Sequence, residues 1–165
     1  MRQGTFIFIG FTLFALLSSC ATMYQPSSFS GGYSDTQMAP DVFRVNFAGN
    51  GYTSSERAQD FTLLRASELT LQNGFKYFAI INESNTTKID SYTTQGSSYT
   101  SGTTYVNGGY GSYSSTTTYN PPQTYNFHKP RSSLIIQCYA DKPDSVFTFD
   151  ATYIQRSIKQ KYNIQ

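Results

Sequence analysis

Nucleophilic catalysis is the first chemistry that the residue types allow. The sequence has a single histidine, His128, and a cysteine ten positions further on, Cys138; a thiol beside an imidazole is the least that a cysteine nucleophile needs. Their surroundings point elsewhere. Cys138 alternates with Leu134 and Ile136 in a strand-like run, which predicts a buried structural thiol, and His128 stands in a proline-flanked stretch that reads as a surface loop. Glu56 and Asp60, four residues apart, are candidate paired carboxylates. However, Thr53-Ser54-Ser55-Glu56 has the spacing of a capping box with Thr53 at the N-cap, and Asp60 suits the positive end of a helix dipole. A typical metal site needs three or four His, Cys, Asp or Glu ligands at close spacing, and the chain is short of His and Cys for one. Gly108-Gly109 with Gly111 lies in a polar stretch rather than between a strand and a helix, so it fails as a phosphate-cradling loop. The residues thus predict no catalytic group, no metal and no cofactor.

One segment invites a binding role instead. Residues 91–126 hold seven of the 14 tyrosines, are dominated otherwise by Ser, Thr, Gly, Asn and Gln, and contain no charged side chain. No core can be built from that composition. Tyrosine gives a large, stiff, amphipathic surface at little entropic cost, and small polar neighbours add adaptable hydrogen bonds. Tyr99, Tyr105, Tyr110, Tyr113 and Tyr119 are therefore candidate partner contacts. Two conformations compete for the segment. Asn107-Gly108 has hairpin-turn chemistry, which predicts a projecting β-arm, whereas the low complexity favours a disordered insertion that serves as an inert spacer.

The elements that would carry these residues are legible on either side. Phe43, Val45 and Phe47 alternate with Arg44 and Asn46 as a half-buried strand. A helix is expected over 54–73, ended by Gly74 in the left-handed conformation. Ala58, Thr62, Ala66, Leu69 and Thr70 give that helix a small-residue side fit to lie close on a sheet, while Phe61, Leu64 and Leu71 point to another side. Arg65 and Glu68 read as a surface pair on a solvated face. Residues 77–81 are apolar on both sides, as an interior strand would be. Residues 133–139 form a third strand and 146–149 a short fourth. Asp150 is placed to cap a last helix with Ala151, Ile154, Ile158 and Tyr162 as its apolar stripe, opposed by Arg156 and Lys159. The expectation is an α+β fold: a small sheet of about four strands in the order β-α-β, insertion, β-β-α, with two helices packed on it.

The amino terminus supplies an address. Met1-Arg2 precede a twelve-residue apolar run, 6–17, and small residues that end at Cys20, the order of a signal peptide. The run is well short of the roughly 20 residues a spanning helix needs. Leu17-Ser18-Ser19-Cys20 resembles the lipobox of bacterial lipoproteins. That resemblance implies cleavage before Cys20, a diacylglycerol thioether on its sulfur and an acylated new amino terminus, with Ala21 rather than Asp favouring the outer membrane. The organisation expected is a signal peptide over 1–19, a lipidated Cys20 with a flexible Ser/Gly/Gln/Pro-rich tether over 20–40, and one α+β domain over 41–165, interrupted by 91–126. Without Arg2 the chain keeps eleven Lys plus Arg against ten Asp plus Glu. Such near-neutrality argues against nucleic acid as a partner.

A broader likeness covers about half of the chain beyond Cys20. Phe47, Gly49-Asn50-Gly51, Thr53-Ser54, Glu56, Asp60, Leu63-Leu64-Arg65-Ala66 and Glu68-Leu69-Thr70 resemble the shared core of a family of Gram-negative lipoproteins of no assigned activity. Gly74-Phe75 and Tyr77-Phe78 also fit it, and 133–138 with Phe149-Asp150-Ala151 fit more loosely. The resemblance implies fold and location but no chemistry. The expected function is a non-enzymatic envelope lipoprotein, lipid-anchored at Cys20, that faces the periplasm and contacts an envelope protein, glycan or peptidoglycan. The alternatives are an envelope-stress sensor, or an envelope enzyme, which requires a deep pocket near His128, Cys138 or the Glu56–Asp60 turn.

Overall fold

The structure, a computed structural model, describes residues 20–165; the expected signal peptide over 1–19 lies outside them. Nine elements follow in order: β1 (Gly32–Ala39), β2 (Val42–Ala48), α1 (Ser55–Gln72), β3 (Tyr77–Thr93), β4 (Ser97–Asn107), β5 (Tyr110–Asn120), β6 (Thr124–Tyr139), β7 (Phe149–Asp150) and α2 (Ala151–Tyr162). The fold is α+β. It has two helices, as the sequence predicts, but seven strands rather than about four: a five-stranded sheet in the order β1-β2-β6-β3-β7 and a two-stranded sheet, β4-β5. The chain divides into two compact units, one of residues 20–88 with 128–165 and one of residues 89–127.

In the first unit the five-stranded sheet carries its core on one face. Antiparallel pairing sets Phe43 against Ile136 and Val45 against Leu134, so β2 and β6 both turn alternate residues inward. These four side chains and Cys138 join Ala66, Leu69, Phe78 and Ala151 in one buried cluster. Phe47, Ala58, Phe61, Leu64 and Ile158 form a second, with α2 laid against α1.

Helix α1 is buried on both the small-residue side and the larger apolar side, which explains its weak amphipathic pattern. Its buried hydroxyls are satisfied within the helix: Thr62 donates to the Ala58 carbonyl at 2.7 Å, Ser67 to Leu64 at 2.7 Å and Thr70 to Ala66 at 2.8 Å. The cap differs from the expected box. Ser54 is the N-cap and accepts from the Arg57 amide, while Thr53 turns inward and is buried. The Gly74 stop is as expected, with φ +81°. Asp150 caps α2 by accepting from the Tyr153 amide at 2.9 Å.

Three corrections concern the segments that join these elements. Residues 20–40 are not a loose tether, because 32–39 form edge strand β1, paired with β2 from Gly32↔Ala48 to Ala39↔Val42. A stretch of Ser, Gly and Gln has weak strand signals of its own, but β2 offers it a row of backbone partners. His128 lies within β6 and not in a loop, since that strand starts at Thr124. The expected fourth strand over 146–149 reduces to the two residues of β7.

The second unit is ordered by strand pairing alone. β4 and β5 pair antiparallel from Ser97↔Asn120 to Asn107↔Tyr110, which is the hairpin arm and not the disordered spacer. The turn is one residue later than Asn107-Gly108 suggests. Its two central residues are Gly108 at φ +59° and Gly109 at φ +90°, a type I′ requirement that glycine meets without strain. Every residue of both strands is exposed.

Candidate functional site

The residues that suggested catalysis are held apart. Cys138 is 2% exposed, sits in the first apolar cluster and has its sulfur 3.4 Å from the Thr70 hydroxyl. Burial pushes its thiol above the ordinary range against the weaker opposing pull of that hydrogen bond, so the protonated, unreactive form is favoured. His128 is exposed on the same strand, and ten extended residues put about 33 Å between the two. Glu56 and Asp60 do come together, as the receptors of a helix-docking cation. Lys161 of α2 donates to both, to Asp60 at 2.8 Å, and the Tyr162 hydroxyl donates to Asp60 at 2.7 Å. Asp60 thus holds α2 onto α1 rather than merely facing a helix dipole.

Arg65 and Glu68 are likewise not a solvated pair. Arg65 donates to Asp35 of β1 at 2.8 Å, lies 3.5 Å from Glu68 and covers the Tyr33 ring at 4.7 Å. Glu68 also accepts from the Tyr24 hydroxyl and has Lys159 of α2 at 3.8 Å. Four segments that are far apart in sequence meet at this network. Period alone misses it, because Tyr24 and Asp35 come from the stretch that reads as a tether.

Burial first, then hydrogen bonding to Glu68 and its charge, push the Tyr24 phenol far above its ordinary 10.0. Burial and Asp60 raise Tyr162 in the same way, and the hydrogen bonds that Lys161 donates to Asp60 and Glu56 raise Lys161. All of these groups, with Cys138, hold their protons more tightly folded than unfolded. The stability they contribute is therefore complete below about pH 8, one unit under the ordinary thiol value of 9.0, where the unfolded thiol begins to ionise, and is lost as pH rises through the folded values. The urea midpoint should fall steadily between pH 8 and 11, and Tyr24→Phe should flatten that fall. A midpoint that stays level over this range would contradict the assignment.

The Cys20 end is built from a polar knot. Cys20 is exposed and unpaired by disulfide, but its carbonyl accepts from Asn50 Nδ2 at 2.7 Å. The Thr22 amide donates to Thr53 Oγ1 at 3.0 Å, and the Asn50 amide donates to Thr22 Oγ1 at 2.9 Å. Thr53 in turn donates to Asn50 Oδ1 at 2.9 Å. This is why Thr53 is buried inward instead of capping α1.

In the second unit the register sorts the tyrosines by face. Tyr99, Tyr105 and Tyr110 lie on one side of the hairpin and Tyr113 and Tyr119 on the other, as the alternation through Tyr99↔Thr118, Tyr105↔Ser112 and Asn107↔Tyr110 requires. They are between 64% and 87% exposed. Tyr113 lies over Gly102, where a Cβ would come within 2.4 Å of its hydroxyl. Thr100 and Thr117 bond across the strands at 2.9 Å.

The chain matches no family model, no curated protein and no solved structure. Among the described residues no group of three or more His, Cys, Asp or Glu is placed to hold a metal ion, and no helix is long and apolar enough to cross a membrane. Cys20 and the hairpin tyrosines remain exposed.

Proposed function

We propose that this protein is a non-enzymatic lipoprotein of the bacterial envelope, anchored in the outer membrane by lipid on Cys20 and facing the periplasm. Its tyrosine hairpin is a contact surface for an envelope protein or glycan. The hairpin carries the reading: it exposes Tyr99, Tyr105, Tyr110, Tyr113 and Tyr119 while contributing nothing to either apolar cluster. Large aromatics held on a paired scaffold lose little entropy on contact and favour recognition over packing. The signal-peptide pattern, the lipobox-like Leu17-Ser18-Ser19-Cys20 and the likeness of 45–70 to Gram-negative lipoproteins support the address.

Cross-linking in intact cells, read by mass spectrometry, tests the contact role. Serine at Tyr99, Tyr105 and Tyr110 empties one face, and serine at Tyr113 and Tyr119 empties the other. Emptying the contacting face should lower recovery of the partner more than about tenfold, as loss of buried aromatic anchors does elsewhere. Equal recovery from the wild type and both variants would end the reading.

A further inference from the structure

The hairpin of the second unit leaves strand edges open. β4 and β5 make a two-stranded sheet of their own, so among the described residues no further strand lines either of them. The turn at Gly108-Gly109 makes Asn107↔Tyr110 a pair that exchanges backbone hydrogen bonds, and bonded and unbonded pairs alternate from there. Thr100 and Thr117, whose hydroxyls meet at 2.9 Å, fall in the closer, unbonded class. By the same alternation Gly111, Tyr113, Ser115, Thr117 and Tyr119 aim their backbone N–H and C=O groups away from β4, along the outer edge of β5.

Natural sheets blunt an open edge by shortening it, bulging it, or placing charge or proline on it. The first unit does so. Its β7 has two residues, and its β1 carries Asp35 and loses regular pairing between Gln37 and Ala39. The hairpin has none of these devices: residues 97–120 contain no charged side chain and no proline, and the pairing of β4 with β5 runs without a shift. An uncharged edge is not repelled by its own copy. Of the two edges, that of β5 is the better built. Gly102 stands in the middle of β4, where glycine weakens a strand, whereas β5 has the β-branched run Thr116-Thr117-Thr118 between Tyr113 and Tyr119.

We propose that the β5 edge pairs antiparallel with the β5 edge of a second copy of this chain, closing a two-fold sheet across the pair. Centring on Ser115 sets that residue opposite its own counterpart, Tyr113 opposite Thr117 and Tyr119 opposite Gly111. The outward backbone groups then meet one another, and the tyrosine–threonine contacts are aromatic and β-branched cross-strand pairs. The inference rests on the reading of the hairpin as a contact surface and names a second copy as its partner.

The test uses the full protein purified from membranes in a neutral detergent. Bonded antiparallel partners have Cα atoms about 5.5 Å apart, within disulfide reach, so oxidised glutathione should link Ser115→Cys to its counterpart. Ser101→Cys on β4 would stand at least about 14 Å from its own counterpart, three strand spacings away, and should stay unlinked. Both variants share Cys20 and Cys138, so the comparison cancels those thiols. Dimer on a non-reducing gel should differ by more than about tenfold, because pairing raises the local thiol concentration to the millimolar range. Ser115→Lys keeps the hairpin backbone and should weaken self-association in sedimentation about fivefold, as like charges set directly opposite do. Mixing it with Ser115→Asp should restore association. Equal linking of the two cysteine variants, or association unmoved by Ser115→Lys, would overturn the pairing. The serine variants of the tyrosines read the faces and these variants read the edge, so the two readings fail separately: a monomer that still loses its partner when a face is emptied overturns the pairing alone.

Discussion

Cys20→Ser is expected to move the protein from the membrane fraction to the soluble fraction, and only the wild type should carry the added mass of acyl chains. Each buried methylene contributes about 0.8 kcal/mol, so several chains anchor stably where one would not. A serine hydroxyl cannot stand in for the thiol in forming the thioether. The substitution also separates anchoring from folding. The Cys20 side chain is exposed, and the bond that ties this residue to Asn50 uses its backbone carbonyl, so serine leaves the knot in place. Fractionation together with intact mass decides the outcome. Wild-type protein with a free amino-terminal sulfhydryl in the soluble fraction would overturn the anchor.

Phe61→Ala should cost about 3–5 kcal/mol of unfolding free energy, the usual range for emptying a buried phenylalanine site. The Phe61 ring meets Phe47 at 5.2 Å, Tyr24 at 5.5 Å and Tyr162 at 4.9 Å, all edge-on, with the Arg57 guanidinium 5.6 Å away. It therefore joins β2, the segment after Cys20, α1 and α2 at one point. Domains of this size have about 5–15 kcal/mol in total, so the variant should melt roughly 10 °C lower. Tyr162→Phe keeps its ring and loses only the hydrogen bond to Asp60, and should cost about 1 kcal/mol. Urea unfolding of both variants measures the difference. A Phe61→Ala cost no larger than that of Tyr162→Phe would deny the second cluster its part in holding the helices.

Periodicity made part of this legible. The alternation of Phe43, Val45 and Phe47, the Ala151, Ile154, Ile158 and Tyr162 stripe and the Gly74 stop are local signals, and the chain obeys them. What was not legible depends on partners far away in sequence. Residues 32–39 have little strand character until β2 supplies their hydrogen bonds, and Thr53 gives up the cap because Thr22 and Asn50 need its hydroxyl. The Glu56–Asp60 pair looked self-contained on one helix turn, but its real partners, Lys161 and Tyr162, lie about a hundred residues on. In the hairpin, turn composition placed the arm but set its turn one residue early, a step that changes which residues sit directly opposite one another and leaves the two faces unchanged. The candidate contacts were found by composition, and their division into two faces needed the pairing.

The knot at the start of the described chain leaves no slack. Only Ala21 separates the residue held by Asn50 from the one held by Thr53, so anything that grips the Cys20 sulfur grips the five-stranded unit almost directly. Such a body cannot swivel like a balloon on a string. Its tumbling is locked to that of its support, and any load on that sulfur passes through Asn50 and Thr53 to the first turn of α1.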